Sequence, residues 1–390
     1  MNAVWLSTIV TLAIQALVSL VVFTPPVLAP VAAGEIGVSA SAVGVFTALI
    51  YLSAAFAALS SGSVIGRLGP MRVSQASLVL CGMGIALMAS ANIWLVALGA
   101  LIIGVGYGPV TPSSSAILAE RVPPRLRAFI FSLKQTGVPI GGAIAGALIP
   151  AIIVTLGWRA GALVAGLLCV GLAVAVQPWR RAVDAGSRTP DAAVVGFVEP
   201  LRIVLRHAPL REMALASFTY SGMQMCLGSF LVVFLHEHAG LSIGAAGAAL
   251  SAAMAAGIVG RIFWGVLADN WVQPRLLLGI LGVAMSLAAF LTAGIRPGWP
   301  FALVLAVSLV YGATAVGWNG VYLSEVARIA PPGQAAAATG ASLAMTFTGV
   351  VTLPLMFWAI VSITGAYAMA FVAIGCLTLW RGARILRHAS

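Results

Sequence analysis

Twelve stretches of apolar residues, each near the roughly 20 that carry a helix across a bilayer, leave this chain few ways to fold. They lie at roughly 4–28, 43–64, 73–91, 94–118, 128–154 and 159–178, then 210–235, 243–266, 275–294, 299–324, 336–360 and 365–382. The 390 residues are 61% hydrophobic and 7% charged, whereas soluble domains carry about 25% charged residues. A membrane β-barrel would alternate apolar and polar residues in segments of about ten, and no such alternation is present. The expected class is an all-α membrane protein with twelve transmembrane helices.

A net charge of +11 could suggest nucleic acid, but its placement argues against it. Of the 20 Lys and Arg residues, sixteen fall in even-numbered connections and the C-terminal tail. Odd-numbered connections hold Arg159 and Arg296; Lys134 and Arg261 lie inside spans. This is the positive-inside pattern, and it puts both termini in the cytoplasm. The first basic residue is Arg67, so the basic start of a cleavable signal is missing and the first apolar stretch reads as a retained span. Cys81, Cys169, Cys226 and Cys376 sit in apolar segments without metal or disulfide spacing and read as small buried hydrophobes.

The longest polar connection divides the chain into an N-terminal six-helix bundle (1–178), a cytoplasmic linker (179–209) and a C-terminal six-helix bundle (210–390). The halves echo one another. Gly62 to Gly66 matches Gly265 to Asp269 at an offset of 203, Ala119-Glu120 matches Ser324-Glu325 at 205, and Ser132-Leu133 matches Ser342-Leu343 at 210. Drifting offsets are what a diverged duplication leaves, and parallel six-span repeats about a central site are a transporter architecture. The 43 glycines spread through the spans allow close helix packing.

Over essentially its whole length the chain resembles the major facilitator superfamily. That family's loop after the second span reads Gly-x-x-x-Asp-Arg-x-Gly-Arg. Gly62, Arg67, Gly69 and Arg72 match it, with Gly66 at the Asp position; the second-half copy keeps Gly265 and Asp269. Thr136-Gly-Val-Pro-Ile-Gly-Gly142, with Pro139 at its centre, is similar to the family's fifth-span kink motif. The resemblance implies two pseudo-symmetric bundles working by alternating access. A second resemblance concerns Arg261, which precedes Gly265 by four residues. It is similar to the eighth-span arginine that binds the substrate carboxylate in monocarboxylate transporters and oxalate/formate exchangers. The acidic residue one turn earlier in proton-coupled members is here Gly257, and the family's acidic first-span pattern is absent. This implies carboxylate binding and disfavours proton symport.

Arg261 lies eight residues before Asp269, about 12 Å along a helix, and Lys134 lies seven residues after Arg127, about 10 Å along. Cations at such depth usually face a cavity or a partner. A planar guanidinium can hold a carboxylate in a fork. The alternatives are a gate lock, with Arg261 bridging to Asp269 or Glu325, and a Lys134 that snorkels to the headgroups. Gln135 follows Lys134. Gln15 on the first span, Tyr107 and Thr111 on the fourth, Tyr220 and Gln224 on the seventh, and Trp318, Asn319 and Tyr322 on the tenth outline the expected pocket; singly, each also reads as helix–helix glue or an interfacial anchor. Arg67, Arg72, Glu120, Asp269 and Glu325 are the expected gate charges, or else ordinary solvated loop charges. His236-Glu237-His238 is too short a cluster to point strongly to a metal.

The leading reading is a secondary active transporter of a small organic anion, a carboxylate, in the cell membrane. A coupling proton or counter-anion is possible within it; no cofactor, metal or nucleic acid is implied, and a monomer is expected. The rivals are a drug/proton antiporter, a nitrate-type porter, a non-transporting membrane sensor and an intramembrane enzyme. The antiporter lacks its acidic residue deep in a span, and the nitrate-type porter its arginine on the second span. The enzyme lacks clustered catalytic groups. A sensor would bind a ligand that never crosses.

Overall fold

The computed structural model describes residues 3–123, 127–184, 204, 206–329 and 335–389. Among them, twelve helical stretches are long and apolar enough to cross a membrane. They are Val4–Ile36, Ala40–Ala58, Pro70–Met88, Ile93–Leu118, Leu133–Leu156 and Trp158–Ala175, followed by Ala208–Glu237, Ile243–Ala268, Pro274–Ala293, Phe301–Val326, Met345–Thr364 and Tyr367–Arg387. They are numbered below as spans one to twelve. Each falls on an expected apolar stretch, and the differences are at the ends. The first helix continues through Pro25, Pro26 and Pro30 to Ile36, beyond the expected end near residue 28. The expected linker begins with a short helix, Gln177–Asp184; residues 185–203 and 205 lie outside the described residues.

The chain separates into two compact units, one of Met1–Ala40 with Leu49–Val194 and one of Ser41–Ala48 with Val195–Ser390. The start of the second span, Ser41–Ala48, belongs to the second unit. Two contacts explain this. Thr47 and Ser229 share a hydrogen bond of 3.1 Å. Gly44 lies so close to the seventh and eleventh spans that a Cβ would come within 2.7 Å of Phe230 Cζ and of the Pro354 carbonyl.

Within the first unit the first span packs along the fifth, and the third along the fourth and sixth. Within the second unit the seventh packs along the eleventh, the ninth along the twelfth and the eighth along the tenth. The partners one-with-five and three-with-six thus recur six spans later. Gly69, in the loop after the second span, has φ 90°, a left-handed conformation open to glycine at no steric cost. Pro70 then starts the third helix, where its missing N–H is not needed. Cys81, Cys169 and Cys226 are buried, but Cys376 is exposed. That corrects the expectation of four buried thiols; on a helix this apolar, a small thiol can also sit on the outward face.

Three spans are interrupted. The fourth breaks at Gly108-Pro109 between helices Ile93–Tyr107 and Val110–Arg121. The fifth breaks at Thr136 between Arg127–Gln135 and Gly137–Leu156. The tenth breaks at Val316 to Trp318 between Phe301–Ala315 and Asn319–Ile329. A break frees backbone carbonyls that water cannot reach in a bilayer, each costing several kcal/mol unless satisfied. The side chains that gather at these breaks form the candidate site.

Candidate functional site

Pro139 causes the fifth-span break. It has no N–H for the Gln135 carbonyl four residues back, and its ring crowds that oxygen. Thr136 Oγ1 turns back to the Leu133 carbonyl at 2.6 Å. Lys134 lies just before this break and is 2% exposed. Its Nζ donates to Gln15 Oε1 at 2.8 Å, to Thr111 Oγ1 at 3.4 Å and to Gln135 Oε1 at 3.5 Å. Thr111 also donates to Gln15 Oε1, and Gln15 Nε2 donates to Ser19 Oγ, each at 3.4 Å. Gly137 holds the first and fifth spans together here, since a Cβ on it would meet Gln15 Cβ at 2.8 Å. The ammonium therefore points into the unit rather than out to headgroups. All three of these acceptors are neutral oxygens. Among the described residues no carboxylate lies within 4.0 Å of it.

Arg261 stands on helix Ile243–Asn270 and reaches the tenth-span break. Its Nε donates to the Val316 carbonyl at 3.0 Å. One turn on, Trp264 Nε1 donates to the Ala313 carbonyl at 2.8 Å. Both side chains thus cap the C-terminal end of the first tenth-span helix, where a cation complements the dipole. Gly257 lets the two spans approach, because a Cβ there would meet Val316 Cβ at 2.6 Å. Gly257, the place where the resemblance of Arg261 led to looking for an acid, is thus a point of helix packing.

Gln224 is the second unit's polar centre. Its Oε1 accepts from Trp318 Nε1 and Asn319 Nδ2, both at 3.2 Å. Trp318 meets Tyr220 and Tyr322 edge-on, with ring centroids 5.7 and 5.2 Å apart. All three rings are buried, and Tyr220 donates its hydroxyl to the Leu278 carbonyl at 2.9 Å. In this structure they form an aromatic wall inside the unit. Tyr107 meets Tyr51 edge-on at 5.7 Å in the first unit.

Of the expected gate charges, Arg67 and Arg72 are exposed. Glu325 is fully buried and paired within its own helix. Arg328 Nε and Nη2 each donate to its carboxylate at 2.7 Å, and that hydrogen bonding raises the Arg328 pKa above its ordinary value. The side chains of Glu120 and Asp269 lie outside the described residues, as does the surrounding of Gly62. Gly265 has open space where a Cβ would be. In His236-Glu237-His238 each group is engaged elsewhere, since His236 Nδ1 bonds Leu241 O, Tyr367 donates to Glu237 and His238 stacks on Phe234. Among the described residues no metal-binding cluster is found.

The sequence reading missed the cluster of Glu212 with Arg275 and Arg384, and the bridge from Gln75 to Gln177. A signal was present. Arg72 and Arg275 are 203 apart and Arg180 and Arg384 are 204 apart, the spacing of the duplicated motifs.

The family model described as Major Facilitator Superfamily matches residues 11–354. The chain belongs to that superfamily. Membership makes it a transporter and a multi-pass membrane protein rather than an enzyme. Its relatives include the 4-hydroxybenzoate transporter of Pseudomonas aeruginosa, 28% identical over 38% of this chain and 33% of that protein. The gentisate transporter of Corynebacterium glutamicum is 26% identical over 83% of this chain and 73% of that protein. The probable sulfoacetate transporter of Cupriavidus necator is 23% identical over 90% and 86%. The alignment spans about a third of the first of these relatives and about three quarters or more of the other two. Among solved structures the fucose:proton symporter of Escherichia coli superposes with a TM-score of 0.64 at 18% identity, covering 100% of both chains, a likeness of fold. This superfamily member therefore has relatives whose names are those of organic-acid transporters.

Proposed function

We propose that this protein is a secondary active transporter of a small organic anion, a carboxylate, working by alternating access. The observation that carries the reading is Lys134: a buried ammonium held by neutral oxygens, with no carboxylate beside it among the described residues. A buried cation so placed is costly, and an arriving anion offsets that cost. Gln15, Thr111 and Gln135 hold the ammonium in place and keep its donors aimed at one region. Arg261, in the second unit, is proposed as an anion ligand in its own right, its guanidinium oriented through Nε by the Val316 carbonyl. Because Val316 belongs to the tenth-span break, a change at Arg261 has a direct route to Trp318, Asn319 and Gln224. That coupling would supply the differential affinity a conformational cycle needs.

The names of the relatives rank the substrates to try, with aromatic acids such as gentisate and 4-hydroxybenzoate before sulfoacetate. Gly257 supports coupling without a carrier carboxylate at that position, by exchange of anions or entry of a protonated acid. The protein is proposed to act as a monomer. The test is uptake of radiolabelled gentisate, 4-hydroxybenzoate, benzoate and sulfoacetate into proteoliposomes, with and without a pH gradient and with and without internal anion. Saturable uptake of at least one, lost in Lys134→Gln and in Arg261→Gln, is the expected result. Uptake unaffected by both substitutions would remove the anion-ligand assignment. Binding without any flux would favour a sensor.

A further inference from the structure

Arg72, at the start of the third span, and Arg180, just beyond the sixth, flank an open groove of about 370 Å³ on the first unit. Gln75 forms its polar floor: Nε2 donates to the Ala173 carbonyl and to Gln177 Oε1, both at 2.8 Å. That ties the third span to the end of the sixth without a charge. Val79 and Val174 continue the groove along the two spans and are 37% and 68% exposed. Among the described residues no carboxylate lies within 4.0 Å of either guanidinium.

The second unit shows how the same pair is treated when the protein neutralises it. Arg275 opens the ninth span as Arg72 opens the third, and Arg384 lies near the end of the twelfth. There Glu212 accepts from Arg275 Nη2, and Arg384 Nε is 3.8 Å from its other oxygen. The carboxylate is internal, and its side chain is 19% exposed. Among the described residues nothing corresponding fills the first unit's groove.

We propose that the Arg72–Arg180 groove binds the phosphate of an anionic membrane phospholipid, with an acyl chain lying along Val79 and Val174. Two guanidiniums offer forked donors suited to a phosphate. Their position at the arginine-rich end of two membrane-crossing helices is where headgroups lie, and basic sites between helices there take acidic lipids. The exposed valines make a lipid, rather than a free phosphate, the occupant, since only a lipid brings an apolar chain to cover them.

The experiment is native mass spectrometry of the full-length protein in detergent, titrated with phosphatidylglycerol, phosphatidylcholine or glycerol 3-phosphate. The wild type should retain phosphatidylglycerol in preference to phosphatidylcholine, and glycerol 3-phosphate at matched concentration should not displace it. Arg72→Gln with Arg180→Gln should weaken retention of one phosphatidylglycerol by roughly tenfold or more. Gln177→Glu is a second, milder variant. It keeps the oxygen that Gln75 needs but places a carboxylate between the arginines, and should also weaken retention. Equal retention of both lipids by the wild type, unchanged phosphatidylglycerol retention in the double variant, or displacement by glycerol 3-phosphate would each overturn the proposal.

Discussion

The two units answer several of their cations differently. In the second, described carboxylates sit against arginines, Glu212 on Arg275 and Arg384 and Glu325 on Arg328. In the first, Lys134 is solvated by Gln15, Thr111 and Gln135, and Arg72 and Arg180 face a groove floored by amides. The first unit's described ion pair, Glu35 with Arg159, lies among half-exposed side chains between the end of the first span and the start of the sixth. Equivalent helix positions can thus hold a charge satisfied from within or one left for something that arrives. On the proposals above, cations held by neutral acceptors are the ones that keep affinity in reserve for an anion.

Four substitutions would break or sharpen this contrast, taken from the largest expected effect to the smallest. Lys134→Gln keeps hydrogen bonding to Gln15 but removes the charge. Initial uptake of the transported acid should fall by at least about a hundredfold, as when one partner of a buried charged contact is removed. Thermal stability without substrate should hold or rise, because an uncompensated buried charge has been lost. A fall in stability together with retained uptake would place Lys134 among structural groups, like the arginines around Glu212. Glu212→Gln should act in the reverse sense. It leaves Arg275 and Arg384 without their acid, at a cost of about 3 kcal/mol, read as a lower melting temperature in detergent. Added phosphatidylglycerol should recover part of the loss if the second unit's pair then behaves like the first's. No recovery would show that the two arginine pairs differ by more than one carboxylate.

Gly257→Asp puts an acid one turn before Arg261, the arrangement that the monocarboxylate-transporter resemblance associates with proton coupling. The close approach of Val316 means overpacking of about 1–3 kcal/mol, so reduced stability, not a new pH dependence of uptake, is expected. Proton-driven accumulation by this variant would show that the eighth and tenth spans separate more readily than their packing suggests. The smallest effect is expected from Arg261→Lys, which keeps the charge but loses the fork. Binding should be weakened yet measurable by scintillation proximity, where Arg261→Gln shows none. Equal loss in both would indicate that the Nε contact to Val316, rather than the anion, is what Arg261 chiefly serves.

Length, hydropathy and charge placement were enough to expect twelve spans, because a bilayer permits few ways to satisfy a backbone; the superfamily resemblance came from the loop and kink motifs. Hydropathy and charge placement also singled out Lys134 and Arg261, since a cation about 10 Å inside an apolar run is conspicuous in one dimension. What each cation touches was not legible. Gln15 lies 119 residues from Lys134 and Val316 lies 55 from Arg261, and only helix packing brings them together. Gly257 read as a missing acid, yet the structure makes it the point where two helices meet. Trp318, Tyr220 and Tyr322 carried the right chemistry for a pocket, but burial against one another was decided by the tenth-span break, which contains no proline to announce it. Arg72 and Arg180 are 108 residues apart and became one groove because the third and sixth spans pack side by side. Composition and periodicity record which solvent each residue must face; which charges are answered from within depends on long-range packing that only the tertiary structure decides.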